Sequence, residues 1–157
     1  MNKPSHPAPP FTPASPPYEL DVYGWALAQA ELLRHRRVED VDLDNIIEEI
    51  RSVGESQARR VESALRVLIM HVLKWQQQPE KRTRSWALSI AEQRARFDIR
   101  MRKNPSLKPE LDELRADAHR RARLAAARET GLPLRMFPQE PPSWTVLLEE
   151  PFGREDD

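Results

Sequence analysis

His71, Lys74 and Trp75 stand at i, i+3 and i+4, the spacing that makes side chains neighbours on one side of a helix. An imidazole, an ammonium and an indole held together could bind an anion or a base, with cations for phosphate and indoles for stacking. Arg84 and Trp86 follow a chain break at Pro79 and could meet the first three across that turn. His71, Lys74, Trp75, Arg84 and Trp86 are therefore the candidate binding cluster. The same residues also have a plainer reading: two core indoles, a hydrogen-bonded histidine at the core edge, and a lysine that snorkels. A second candidate is the basic stripe of Arg96, Arg100 and Lys103, spaced i, i+4 and i+7. Such a stripe suits nucleic-acid backbone contact. It suits neutralisation by acidic helices equally well.

Other constellations are weaker. Arg66 and His71 spell an R-x4-H string, which resembles the signature of HEPN-type helical ribonucleases. In that family the pair would serve metal-independent RNA cleavage. Here five residues of helix place the two side chains about 140° apart, and Val67 stands where the pattern commonly has a polar residue. Glu48 and Glu49 are adjacent, so they diverge by about 100° and do not chelate together. His119 sits among Arg120, Arg121 and Arg123, which disfavours a cation, so no metal site is expected. There is no G-x-S-x-G, Gly-rich phosphate loop or H-E-x-x-H, so no catalytic residue is assigned and no cofactor is expected.

Composition narrows the classes further. The 157 residues include no Cys, which excludes disulfides, thiolate metal sites and a thiol nucleophile. Apolar runs such as Val67 to Met70 are far too short to span a bilayer. No membrane partner is expected, and the cytoplasm is the expected location. The 25 basic and 25 acidic residues cancel, but they are segregated. Residues 18–57 carry −6, 58–103 carry +8, 104–131 carry +1 and 132–157 carry −4. Neutrality therefore describes facing segments rather than a neutral surface.

These groups must be positioned by helices. Only 4 Gly and few Val-Thr-Tyr alternations make a sheet unexpected. Seven of the 15 Pro lie in the first 17 residues, five of them at a period of three, which reads as a disordered or polyproline II tail. A first helix is expected from about Glu19 to Arg36, with Leu20, Tyr23, Leu27 and Ala30 at helical spacing and Trp25 and Leu32–Leu33 widening its apolar face. Asp42 should cap a long second helix whose stripe runs from Leu43 through Ile46, Ile47, Ile50, Val53, Val61, Leu65 and Leu68 to Trp75 without drift. Gly54 lies in that stripe, where it permits close approach of another helix or a kink. From Val67 to Leu73 the helix is apolar nearly all round, which marks the centre of the core or an oligomer interface.

Gln78-Pro79 ends the second helix, and Thr83 or Ser85 caps a third, running to about Lys103. Trp86, Ile90, Phe97 and Met101 form its main stripe, with Leu88, Ala95 and Ile99 on nearly the opposite side. A fourth helix from Pro105 or Pro109 to about Thr130 should bury Leu107, Leu111, Leu114, Ala118 and Ala122, and stop at Gly131 and Pro133. Ser143 should cap a short last helix from Trp144 to Glu149.

The order of these blocks resembles an uncharacterised bacterial family, domain-of-unknown-function family 29. The resemblance rests on Tyr18-Glu19-Leu20-Asp21 with Trp25, and on Asp42 through Ile50 with Gly54-Glu55-Ser56. It continues in His71 to Trp75, Gln78-Pro79-Glu80, Arg84-Ser85-Trp86, Asn104 to Leu107 and Glu129 to Pro133. It spans roughly residues 18–150 and implies an all-helical fold without a known activity.

The expectation is an all-α bundle of four main helices, the second long, plus a short C-terminal helix. Its domains would be a proline-rich tail at 1–17, one helical domain at 18–150 and an acidic tail at 151–157. The expected role is a non-enzymatic interaction or assembly module, with self (a homodimer) or another protein as partner. The alternative is a nucleic-acid-binding protein, of HEPN-like ribonuclease type, using the basic stripe and the His71, Lys74, Trp75 and Trp86 cluster.

Overall fold

The computed structural model describes residues 15–153. Most of the expected proline-rich tail and most of the acidic end fall outside the described residues. The described residues are all-helical: α1 (Val22–Arg34), α2 (Leu43–Gln77), α3 (Arg84–Lys103), α4 (Leu111–Thr130) and α5 (Trp144–Leu148). Short 3-10 turns occupy the connections, and no strand is present among the described residues. None of these helices is long and apolar enough to cross a membrane. The chain divides into two compact units, one ending at Ser52 and one beginning at Val53.

In the first unit, α1 begins three residues later than the spacing of its apolar residues suggests. The cause is Asp21, whose carboxylate accepts the Gly24 N–H at 2.9 Å and so acts as N-cap. A side chain at Gly24 would run into that carboxylate and the Pro16 ring, so a glycine is required there. Asp42 then ties the start of α2 to α1. Its carboxylate accepts from the Trp25 indole at 3.0 Å and from the Asn45 amide at 2.7 Å, and its own N–H donates to Gln29 Oε1 at 2.8 Å. Tyr18 donates to Glu49 at 2.5 Å and meets Trp25 edge-on at 4.9 Å.

These polar anchors decide which face of α1 is buried. Trp25, Ala28, Gln29 and Leu32 are inside. The centre of the expected face is not: Leu20, Tyr23 and Leu27 are 81%, 76% and 53% exposed. Leu43, Ile47 and Ile50 on α2 are exposed as well.

The second unit holds a single hydrophobic core. Val61, Leu65, Leu68, Ile69, Val72 and Leu73 of α2 pack with Ile90 and Phe97 of α3 and with Ala118, Ala122 and Ala126 of α4. Small alanines on α4 let its backbone come close to the bulky side chains of α2. Phe137 and Leu147, from the irregular C-terminal stretch, are also fully buried. The Val67–Leu73 segment thus lies in the core, while the second stripe of α3 (Leu88, Ile99) stays exposed. Gly54 gives no close approach, because a side chain added there would meet nothing within 4 Å. Helical structure is unbroken across it.

Caps follow the sequence closely here. Thr83 Oγ1 accepts from Trp86 N–H at 3.3 Å, and Ser143 Oγ accepts from Val146 N–H at 3.2 Å. Gly131 ends α4 in the left-handed conformation at φ 73°, which a side chain would strain.

The irregular stretch is fastened by arginines. Arg94 donates to the carbonyls of Leu147 and Val146 at 2.6 and 2.9 Å. Arg115 donates to the Pro142 carbonyl at 3.2 Å, and Arg123 to the Phe137 carbonyl at 3.1 Å. Prolines and loops leave carbonyls without helical partners, and a guanidinium supplies several donors in a fixed fork.

Candidate functional site

Lys74 is the unusual residue of the candidate cluster. It is only 8% exposed, and its ammonium lies 2.8 Å from a Glu129 carboxylate oxygen. The same ammonium sits 4.6 Å from the centroid of the Trp86 ring. α2, α4 and α3 therefore each contribute one group: cation, anion and aromatic face. A buried lysine needs such partners, since an uncompensated charge away from water is strongly disfavoured.

Trp75 turns elsewhere. It is packed edge-on against Phe152 at 5.7 Å and carries the Arg82 guanidinium 5.1 Å from its ring centroid. Arg82 also donates to the Trp75 carbonyl at 2.9 Å. Arg94 covers the Phe152 ring at 4.9 Å, so two cations flank a pair of rings. Arg84 is exposed at the first turn of α3. The structure thus joins Lys74 to Trp86, while the Trp75 ring has Arg82 and Phe152 as its partners. Arg82, rather than Arg84, is the cation on the Trp75 indole.

His71 is half-buried, and its Nδ1 has no hydrogen-bond partner among the described residues. Burial pulls its pKa below 6.5, Lys74 adds to that, and Glu129 opposes it. His119 on α4 is 2% exposed, and its Nε2 is likewise unpartnered. Burial and then Arg123 lower its pKa, with Glu140 opposing and Arg115 adding a smaller push.

Both histidines have folded pKa values below the ordinary 6.5, so the unfolded chain binds protons more readily. Stability is expected to be full above about pH 6.5, where both states are neutral, and to be lost as the pH falls below it. Urea midpoints measured from about pH 8 down to about pH 5 should therefore decline, and His119→Gln should flatten that decline. An unchanged slope in the variant would assign the pH response to other groups.

The basic stripe of α3 is largely occupied. Arg96 pairs with Glu92 at 2.5 Å on its own helix, and Arg100 donates to the Arg60 carbonyl. Arg102 pairs with Asp98 at 2.8 Å, and Lys103 is exposed. Of the three stripe residues, Arg96 thus meets a carboxylate of its own helix and Arg100 a backbone carbonyl of α2.

A different basic surface lies between α2 and α4. A groove of about 550 Å³ is lined by Arg59, Glu62, Ser63, Arg66 and Arg121. Arg59 pairs with Glu55 at 3.2 Å and Arg121 with Glu62 at 3.0 Å. Arg66 forms no ion pair among the described residues. No group of three or more His, Asp or Glu that could hold a metal ion occurs among the described residues.

Sequence reasoning missed Glu129, Arg82, Phe152 and the groove. The i, i+3 and i, i+7 steps from Arg59 to Glu62 and Arg66 carry a faint signal for the groove. Nothing in the spacing links Lys74 to a carboxylate 55 positions away.

The family model described as Domain of unknown function DUF29 matches residues 17–152. No curated protein and no solved structure matches the chain. The family match takes in both helical units, with the Lys74–Glu129 pair and the arginine-held C-terminal stretch inside it. With most of its length covered in this way, the chain belongs to the DUF29 family.

Proposed function

We propose that this chain is a helical interaction module that assembles with copies of itself. The observation that supports the reading is the uncovered apolar surface of the first unit, where Leu20, Tyr23, Leu27, Leu43, Ile47 and Ile50 are all exposed. So many exposed large apolar side chains on two neighbouring helices suit a contact site. Lys74 and Glu129 are spent on each other, so the reading is carried by the apolar surface and not by the candidate cluster.

The groove beside Arg66 favours a second reading, contact with a nucleic-acid backbone. Its guanidinium is not used by any carboxylate among the described residues, so a phosphate could take it.

Light scattering coupled to size exclusion tests both readings in one series. The chain alone at micromolar concentration is expected to run above its 18.3 kDa monomer mass. A strict monomer would defeat the leading reading. With a mixed oligonucleotide at about 50 mM salt, salt-dependent co-elution would support the second reading, and its absence would remove it.

A further inference from the structure

We propose that the outer face of α1 is a two-fold contact with α1 of a second copy, packed antiparallel and centred on Leu27. This rests on the self-assembly reading above and names the surface and partner it requires.

The face is defined by exposure and helical angle. Val22, Tyr23, Ala26, Leu27, Ala30 and Leu33 are all exposed. At 100° per residue they fall within a sector of about 140°, opposite the buried Trp25 and Leu32. Leu20, in the turn before the helix, extends the same row. The only acid within α1, Glu31, lies at the edge of this sector and is half-buried.

Charge selects the partner and its direction. The row is bounded by Glu19 before the helix and by Arg34 in its last turn, both exposed. Glu19 forms no ion pair among the described residues. Arg34 makes one solvent-exposed pair with Glu31 at 3.4 Å. A parallel copy would set Arg34 against Arg34 and align the two helix dipoles. An antiparallel copy sets Arg34 of each chain against Glu19 of the other and opposes the dipoles.

Leu27 lies midway between Leu20 and Arg34, so a two-fold axis at Leu27 brings both ends into register at once. The row is about 21 Å long at 1.5 Å per residue, roughly four turns on each side. That is a contact at the small end of the specific range, so a dissociation constant of about micromolar order is expected, with monomer and dimer both present at such concentrations.

Sedimentation velocity across a concentration series tests the pairing on the full chain. Leu27→Asp should weaken association at least about tenfold while leaving the helical circular dichroism unchanged, because Leu27 is already exposed. Arg34→Glu and Glu19→Arg should each weaken it by about two- to fivefold, and the double exchange should restore it. A position-specific distance measurement provides a second readout. The chain has no Cys, so Ala26→Cys and Leu33→Cys can each carry a single spin label. The antiparallel arrangement gives axial offsets of about 3 Å at position 26 and about 18 Å at position 33. Equal short distances at both positions would mean parallel packing and would overturn the proposal.

The outcomes separate the two levels. A monomer at all concentrations defeats both the self-assembly reading and this contact. A dimer broken by Ile47→Asp but untouched by Leu27→Asp keeps self-assembly and overturns the α1 contact. A dimer whose charge exchange gives no restoration also overturns it.

Discussion

Replacing Glu129 by alanine is expected to destabilise the fold by about 2–3 kcal/mol, whereas Lys74→Met should cost about 1 kcal/mol or less. The asymmetry follows from exposure. The Lys74 side chain is 10% exposed and the Glu129 side chain 38%. Removing the carboxylate strands an ammonium where water cannot reach it, with only the Trp86 face left to stabilise it. Removing the ammonium leaves a carboxylate that can rehydrate, and methionine fills the stem's volume. The double replacement should then resemble Lys74→Met alone, since no buried charge remains. Urea unfolding of the three variants measures this. Equal losses from the two single changes would mean that the pair behaves as an exposed one.

The second large effect is expected at Arg94. Arg94→Met keeps the apolar stem but removes the donors to the Val146 and Leu147 carbonyls. Hydrogen bonds from a charged group contribute about 1.5–3 kcal/mol each, and Arg94 makes two of them to the short α5. A loss of about 3 kcal/mol is expected, concentrated in residues 144–152. Arg94→Lys should recover only part of it, because an ammonium cannot span both carbonyls as a planar fork does. Hydrogen exchange resolved by segment is the measurement. Fast exchange confined to α5 and its flanks supports the role, and an unaltered segment would contradict it.

The helices were largely legible in the sequence, and the reasons are local. Asp42, Thr83, Ser143 and Gly131 are each followed or preceded by the pattern their capping chemistry requires, so boundaries fell within a few residues. The apolar run around Leu68 was legible as core or as an oligomer interface, and it lies in the core. The inward side of α1 was only partly legible: periodicity put Leu20, Tyr23 and Leu27 at its centre, whereas Trp25 and Leu32, read as its margin, are the buried ones. The hydrogen bonds of Trp25 and Gln29 to Asp42 outweigh that periodicity. The candidate site was legible only as far as Lys74 and Trp86, whose contact spans one short turn. Glu129 was hidden because many acids could have served, and pairing across 55 residues is set by helix packing. The arginine contacts to carbonyls were hidden for the same reason: charge counting assigns arginines to acids, not to backbone.

Phe137 and Leu147 have a consequence for how the second unit comes into being. Both are fully buried in a core otherwise built from α2, α3 and α4, and both follow those helices in the order of synthesis. A nascent chain that has completed α4 still lacks two large side chains of its own interior. Until they arrive, the core that α2, α3 and α4 share is incomplete and more open to water and to other chains. The three long helices can form early, but cooperative closure of this unit waits for two side chains that follow them in the sequence.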